Sequence, residues 1–168
     1  MLDQQMDQMN RKIVLGLGNM LQMDEGLGVH ALEALAERLG DQDEVELIDG
    51  GALGLNLLPL VESASHLLIL DAANAGRPPG TIIELQRDEI PLYSGVKLSQ
   101  HQVTFQEVLG LAQFRDKLPA HLHLVGAQPA DLTVGVGLSE LITAVLPQIV
   151  TRATAVLRNW QIMREGIE

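Results

Sequence analysis

Short apolar segments alternate along this chain with longer stretches whose apolar residues recur at helical spacing. The apolar segments are four to six residues long and are followed by Gly, Asp or another polar residue, as buried strands are. The five predicted strands are Lys12–Leu17, Val45–Ile48, Leu67–Leu70, Thr81–Leu85 and Leu122–Val125. Because short buried strands alternate with amphipathic helices, we expect an α/β fold, a three-layer sandwich whose twisted, mostly parallel sheet of about five strands lies between helices.

Helices are predicted where the apolar residues repeat every three to four positions. The three such stretches are Val29–Leu39, Phe105–Ala112 and Leu141–Trp160. Ser139 is the expected N-cap of the last helix, and Pro147 is expected to bend or restart it. A short helix is also predicted over Leu55–Val61, although Pro59 interrupts that segment.

Composition narrows the chemistry that the fold can support. Aromatic residues make up only 2% of the chain, and 11 Lys and Arg against 22 Asp and Glu give a net charge of −11. Such a chain would repel nucleic acid and anionic membranes, so neither is an expected partner. The absence of Cys excludes disulfides, thiolate zinc sites and iron–sulfur clusters. A metal site would have to use His and carboxylate ligands.

The length of 168 residues fits one domain. We expect a single α/β domain over 12–168, preceded by an N-terminal extension, 1–11, to which the sequence assigns no role. Met1–Asn10 does not resemble a signal peptide, and no uninterrupted apolar run approaches the roughly 18 residues that a membrane span needs. The expected compartment is the cytoplasm, and the expected state is a monomer.

Candidate functional residues follow the predicted strands, because ligands of open α/β sheets bind outside the carboxyl ends of the strands. Asp24 and Glu25 come after the first strand. We interpret Asp24 as a helix-dipole partner or N-cap, whereas for Glu25 that role and a functional one are equally favoured. Asp71 directly follows the third strand, and His101 lies at the start of a predicted helix. A parallel sheet would bring Glu25, Asp71 and His101 to one edge, where they would suit a divalent transition metal with open positions.

Other readings of the loops are weaker. Gly16-Leu17-Gly18 opens like a dinucleotide-binding fingerprint, but Leu21 stands where the third Gly is needed, which disfavours a dinucleotide-dependent oxidoreductase. By residue type alone, Asp49 is expected to form an Asx turn. Among the remaining histidines, His121 and His123 have the spacing of one strand face, and His30 and His66 are interpreted as surface or boundary residues.

Eight short blocks occur in an order that, taken together, is specific although each block alone is common. The blocks are Gly16-Leu17-Gly18-Asn19, Asp24-Glu25-Gly26-Leu27-Gly28-Val29, Asp49-Gly50-Gly51, Leu68-Ile69-Leu70-Asp71-Ala72, Pro79-Gly80-Thr81, Ser99-Gln100-His101-Gln102, Gly126-Ala127-Gln128-Pro129 and Gly137-Leu138-Ser139. From Lys12 to Val150 the chain thereby resembles the nickel–iron hydrogenase maturation proteases. The segments Gly54–Leu58 and Glu62–His66 are most similar to the branch that serves membrane-bound uptake hydrogenases. Ala52 departs from the pattern, because the family commonly has Thr after Asp-Gly-Gly.

The resemblance implies an endopeptidase that removes the C-terminal extension of the hydrogenase large-subunit precursor after nickel insertion. The family's metal-binding and catalytic residues fall on Glu25, Asp71 and His101, and its substrate-recognition turn falls on Asp49, Gly50 and Gly51. The implied metal is nickel supplied by the precursor, with no organic cofactor. Whether the metal polarises the carbonyl, the metal activates water or a carboxylate acts as general base stays open. The alternative is a nickel-binding accessory protein without hydrolytic activity.

Overall fold

A computed structural model describes residues 10–41, 44–51, 54–90, 97, 98 and 102–163. The six strands are β1 Arg11–Leu17, β2 Glu46–Gly51, β3 Ala64–Asn74, β4 Ile82–Gln86, β5 Lys97–Leu98 and β6 His121–Ala127. Five of them form one sheet in the order β2–β1–β3–β6–β4, and β5 pairs with the end of β3. β2, β1, β3 and β6 run parallel to one another, whereas β4 is antiparallel to β6 and β5 to β3. The predicted mostly parallel sheet is confirmed.

Four helices cover the two faces of this sheet. They are α1 Leu27–Leu39, α2 Leu58–Ser63, α3 Gln102–Phe114 and α4 Glu140–Asn159. Short 3-10 turns precede two of them, Met23–Gly26 before α1 and Gly54–Leu57 before α2. The three long predicted helices and the short one are therefore present.

Strand alternation divides the core into two apolar layers. In β1, Val14 packs with α1 and α4 on one face, while Ile13 and Leu15 pack with α2 and α3 on the other. In β3, Leu68 and Leu70 face the first layer, and Leu67 and Ile69 the second. Because both faces of the central strands are buried, these strands are continuous apolar runs. The three-layer sandwich is confirmed.

Helix α4 begins as predicted but does not restart. The Ser139 hydroxyl accepts a hydrogen bond from the Ile142 backbone N–H at 3.4 Å, which is the expected N-cap. The helix then continues through Pro147 without interruption, so of the two expected outcomes, a bend or a restart, the restart does not occur. Ile142 before the proline and Ile149 after it are both fully buried in the same apolar layer. The free energy gained by burying these two side chains outweighs the loss of the one backbone hydrogen bond that proline cannot make.

The same helix is the one candidate membrane span among the described residues by length and composition. Its buried side, which includes Ile149 and Ala153, packs against the sheet and α1. A core helix passes this test as readily as a membrane span, and the packing identifies α4 as a core helix of the sandwich.

Candidate active site

The order of the strands creates a crevice beside β1. From β1 the chain passes through α1 to β2 on one side, and then through α2 to β3 on the other side of β1. The carboxyl ends of β1 and β3 therefore form the topological switch point at which open α/β sheets bind ligands. Glu25 follows β1, and Asp71 lies in β3 one residue beyond the last β1–β3 pair, Gly16 with Leu70. The structure thus places both predicted carboxylates at the switch point.

Asp71 is a buried carboxylate with no charged partner of opposite sign among the described residues. It is 1% exposed, and within the same part of the chain neither oxygen accepts a well-formed hydrogen bond, although the Ala72 backbone N–H lies close enough to interact with the carboxylate. Burial raises the pKa of Asp71 well above its usual value, the backbone N–H of Ala72 partly opposes that rise, and the charge of Glu25 adds to it. Burial therefore makes the charged form of Asp71 costly unless a cation lies beside it.

The position of Asp71 differs from the prediction in one respect. Asp71 was expected to follow its strand, but β3 extends to Asn74. The extension arises because β6 pairs as far as Ala72 and β5 pairs with Ala73 and Asn74. Alternation along β3 then directs Asp71 toward the face that α3 covers, which explains why its side chain is buried.

Glu25 lies in the 3-10 turn that joins β1 to α1. It is 3% exposed, and its Oε1 atom is buried without a hydrogen-bond partner among the described residues. Its charge raises the pKa of Asp71, so the two carboxylates are close enough to interact. Burying two underbonded carboxylates side by side is costly, and such pairs are typical of functional sites.

Three converging ligands are not found within the described part of the chain, where no group of three His, Asp or Glu residues is arranged to hold a metal ion. The third predicted ligand, His101, lies outside the described residues, as does Ala52. Helix α3 begins at Gln102 on the face toward which Asp71 points. The unpartnered oxygens of Glu25 and Asp71 are hard donors that fit a divalent cation.

Asp24, next to Glu25, has a structural role of a different kind from the one expected. The N-cap of α1 is Gly26, and no side chain makes a capping hydrogen bond there, so Asp24 is not the N-cap of α1. Its buried carboxylate instead accepts four hydrogen bonds, from the backbone N–H groups of Ala130, Asp131 and Ser139 and from the Ser139 hydroxyl, at 2.7–2.9 Å. Asp24 therefore ties the turn that carries Glu25 to the loop that follows β6.

Glycines allow the backbones around the two carboxylates to approach closely. A Cβ atom at Gly18 would lie 1.8 Å from the carbonyl oxygen of Glu25, and one at Gly126 would lie 1.8 Å from that of Asp71. A Cβ atom at Gly28 would lie 2.1 Å from the carbonyl oxygen of Leu70. Any side chain at these positions would displace the backbone that positions Glu25 or Asp71.

The Asp49 turn lies at the carboxyl end of β2. Asp49 Oδ1 accepts a hydrogen bond from the Gly51 backbone N–H at 2.8 Å, which confirms the predicted Asx turn. The Asp49 side chain is exposed, whereas Gly50 is buried because Leu15 and Leu17 pack over it. The turn is one strand away from the carboxylate pair, and its role in substrate recognition stays a prediction.

Gln128 lies at the edge of the candidate site, and no role was predicted for it from the sequence. Its side-chain oxygen accepts hydrogen bonds from the backbone N–H groups of Ala75 and Arg77 at 2.8 and 3.2 Å, and its amide nitrogen donates to Asn74 at 3.0 Å. Gln128 thus holds the loop after β3. Its position in the Gly-Ala-Gln-Pro block after a strand was the available signal.

Three of the four remaining histidines gather at the opposite edge of the sheet, whereas His30 lies in α1, 3.9 Å from Glu33. His66 and His121 stack with ring centroids 4.1 Å apart, and the Trp160 ring meets His66 edge-on at 5.3 Å. His123 is 2.9 Å from Glu84, which also binds Arg152. His121, His123, Glu84 and Trp160 line a cavity of about 350 Å³. His121 and His123 therefore lie on a sheet face, as predicted, and His66 is a boundary residue of the same cluster.

We expect the His66 stack to make the fold sensitive to acid. Burial and the positive charges of His121 and Lys12 lower the pKa of His66 from 6.5 to about 4. Between these pH values the unfolded chain takes up a proton that the folded chain refuses, so the free energy of unfolding should decrease as pH falls from 6.5 toward 4. Urea unfolding across this range should give a shallower decrease for His66→Gln than for the wild type. Equal slopes would contradict the pKa shift; Glu84 and Arg152, which face the cluster, are unchanged in both proteins.

With the geometry defined, comparison with known proteins identifies the family. The family model described as hydrogenase maturation protease matches residues 29–156. The chain is 41% identical over 154 residues to the hydrogenase expression/formation protein HupD of Rhizobium leguminosarum bv. viciae, covering 90% of this chain and 76% of that relative. It is 37% identical over 150 residues to the hydrogenase 2 maturation protease of Escherichia coli strain K12, covering 89% and 92%.

The solved structures agree. The E. coli hydrogenase maturating endopeptidase HybD superposes with a TM-score of 0.82 at 36% identity, over 89% of this chain and 93% of that chain. The fold and the buried carboxylate pair define an α/β sandwich with a site at the sheet's switch point. The chain belongs to the hydrogenase maturation protease family, whose members are endopeptidases.

Proposed function

We propose that this endopeptidase removes the C-terminal extension of a nickel–iron hydrogenase large-subunit precursor, and that nickel already bound to the precursor is its recognition element. The observation that carries the proposal is the pair of buried, underbonded carboxylates, Glu25 and Asp71, at the topological switch point. His101 is the proposed third ligand, since it immediately precedes α3 on the face toward which Asp71 points.

The donor set favours nickel that arrives with the substrate over nickel held permanently. The chain has no Cys, so its own ligands are two carboxylates and one imidazole. Such a set binds a borderline metal more weakly than thiolates do. Nickel held by precursor thiolates would bring most of its coordination with it, and the protease would fill positions left open.

The raised pKa of Asp71 couples this binding step to pH. In the free enzyme burial and, to a lesser extent, the charge of Glu25 raise the pKa of Asp71, because both disfavour a second negative charge. A cation at the site would stabilise the ionised carboxylate, so nickel engagement is expected to lower the pKa of Asp71 back toward its usual value. The carboxylate pair then contacts the metal, which orients the extension for hydrolysis.

The test is whether cleavage requires nickel in the precursor. Purified enzyme is incubated with nickel-loaded and nickel-free precursor of identical sequence, and the loss of the C-terminal peptide is followed by mass spectrometry. We expect cleavage of the loaded precursor alone. Equal cleavage of both would replace the bridging role of nickel with ordinary sequence recognition, and binding of the loaded precursor without cleavage would favour the non-hydrolytic accessory protein.

We infer the cytoplasm as the compartment and a monomer as the working state. The net charge of −11 supports both, because it disfavours anionic membrane surfaces and opposes self-association. Sedimentation of the purified protein over a range of concentrations tests the monomer.

A further inference from the structure

Four aliphatic side chains project into solvent from the two loops next to the candidate active site. Leu21 is 64% exposed, Leu132 41%, Val134 88% and Val136 82%. We call these four residues the apolar ridge. The backbones of the two loops are joined beside Leu21 and Val134, because the Gly135 backbone N–H donates to the Leu21 carbonyl at 3.0 Å and Gln22 forms a parallel bridge with Gly135.

The apolar ridge is held by hydrogen bonds on both loops. Met23 donates its backbone N–H to the Gly135 carbonyl at 3.3 Å. Asp131 accepts hydrogen bonds from the backbone N–H and the hydroxyl of Thr133 at 2.9 and 2.6 Å, which fixes the turn that presents Leu132 and Val134. Loop tips are ordinarily polar, so an ordered loop with aliphatic side chains in water indicates a surface that a partner covers.

Asp24 connects the apolar ridge to the candidate active site. Its carboxylate binds the backbone of Ala130, Asp131 and Ser139 at the two ends of the ridge loop. The next residue along the chain is Glu25. A partner that covers the ridge therefore lies against the edge of the sheet at which Glu25 and Asp71 meet.

We propose that the apolar ridge docks the folded body of the hydrogenase large-subunit precursor, and this inference rests on the proposed function. The most exposed members, Val134 and Val136, project outward, so they fit an apolar depression on a folded partner. An extended peptide such as the C-terminal extension would instead need a groove or an open strand edge. A second copy of this chain is the less favoured occupant, because two molecules of net charge −11 repel each other.

The test compares two surface variants. Val134→Ser combined with Val136→Ser removes the centre of the ridge, and Phe114→Ser is the matched control. Phe114 is 86% exposed at the C-terminal end of α3, the end from which the chain leads to the start of β6 and away from the site. Substitutions at such exposed positions are expected to leave the fold intact, which thermal unfolding verifies.

Two measurements are made on each protein with nickel-loaded precursor. Steady-state processing should show an apparent KM raised at least about tenfold in the ridge double variant, because the apolar contacts of two valines are lost, with kcat unchanged. The Phe114→Ser control should match the wild type. Precursor binding is measured separately with and without the ridge substitutions in a common Asp71→Asn background, in which cleavage is slowed and the loss of the Asp71 contact is the same in both proteins.

Each outcome separates the two proposals. An unchanged KM and unchanged binding in the ridge double variant would overturn the docking surface while leaving the protease intact. Ridge-dependent binding to a precursor that the wild type never cleaves would overturn the proteolytic function and retain the docking surface. A concentration-dependent dimer of the wild type that the ridge double variant abolishes would show that a second copy covers the ridge, and would also overturn the proposal.

Discussion

Asp71→Asn is expected to lower the rate of precursor processing by at least about 100-fold while leaving the fold intact. Asn keeps the volume of the side chain but cannot bind a cation as a carboxylate does. Among the described residues Asp71 makes no well-formed side-chain hydrogen bond, and the nearby Ala72 backbone N–H can still donate to the amide oxygen of Asn, so the substitution should break no bond that the fold uses. Processing is followed by mass spectrometry, and folding by circular dichroism and urea unfolding.

The same substitution should raise stability, and more so at higher pH. The pKa of Asp71 is raised above its unfolded value of 3.8, chiefly by burial. As pH rises from about 4, the unfolded chain loses this proton while the folded chain retains it, so the wild type loses stability relative to Asp71→Asn. The difference in free energy of unfolding should therefore be smallest near pH 4 and increase toward pH 7.

Asp24→Asn is the matched control, because it makes the same substitution at a buried aspartate nearby. The Asp24 carboxylate accepts four hydrogen bonds, and an amide would direct N–H donors at N–H donors. Asp24→Asn should therefore destabilise the fold by about 2 kcal/mol or more. If Asp71→Asn destabilises the protein as much as Asp24→Asn does, the Asp71 side chain makes contacts that stabilise the fold, and its role is structural.

Periodicity and turn chemistry were sufficient to predict most of the fold. The two apolar layers need central strands that are apolar throughout and outer helices that are apolar on one face. Leu67–Leu70 shows the first pattern in the sequence, and Val29–Leu39 shows the second. The length of β3 could not be predicted in the same way. Its last residues, Ala73 and Asn74, belong to a strand because β5 pairs with them, and that pairing depends on residues more than 20 positions away.

The site was only partly predictable for a related reason. Asp24 and Glu25 are adjacent carboxylates in one turn, and local sequence gives no basis for assigning them opposite roles. The distinction comes from the loop that follows β6, which supplies all four hydrogen-bond donors to Asp24 from more than 100 residues away. Glu25 Oε1 receives none from the part of the chain that the structure describes, and it stays available at the switch point.

Gly28→Ala is expected to destabilise the protein by about 3 kcal/mol or more, the upper end of what overpacking costs. Intrinsic helix propensity predicts the opposite sign, because Ala is favoured over Gly in a helix by about 1 kcal/mol. Close packing reverses the sign. A Cβ atom at Gly28 would lie 2.1 Å from the Leu70 carbonyl oxygen and 2.3 Å from that of Leu17, and neither backbone atom can move alone.

Gly28→Ala should also lower the processing activity, because Leu70 directly precedes Asp71 and Gly28 follows Glu25 by three residues. Moving α1 away from β1 and β3 would therefore separate the two carboxylates, so any folded Gly28→Ala protein should process the precursor poorly. Gly40→Ala is the control, since Gly40 ends the same helix with open space around it and a φ of +61°. Because Gly40 combines this φ with a ψ of −151°, a region that essentially only Gly occupies, the control should lose roughly 1–3 kcal/mol in urea unfolding, and the folded control should process the precursor normally. If Gly28→Ala is as stable as the wild type, α1 does not pack closely against the strands at Gly28. The claim that this close packing positions Asp71 would then be wrong.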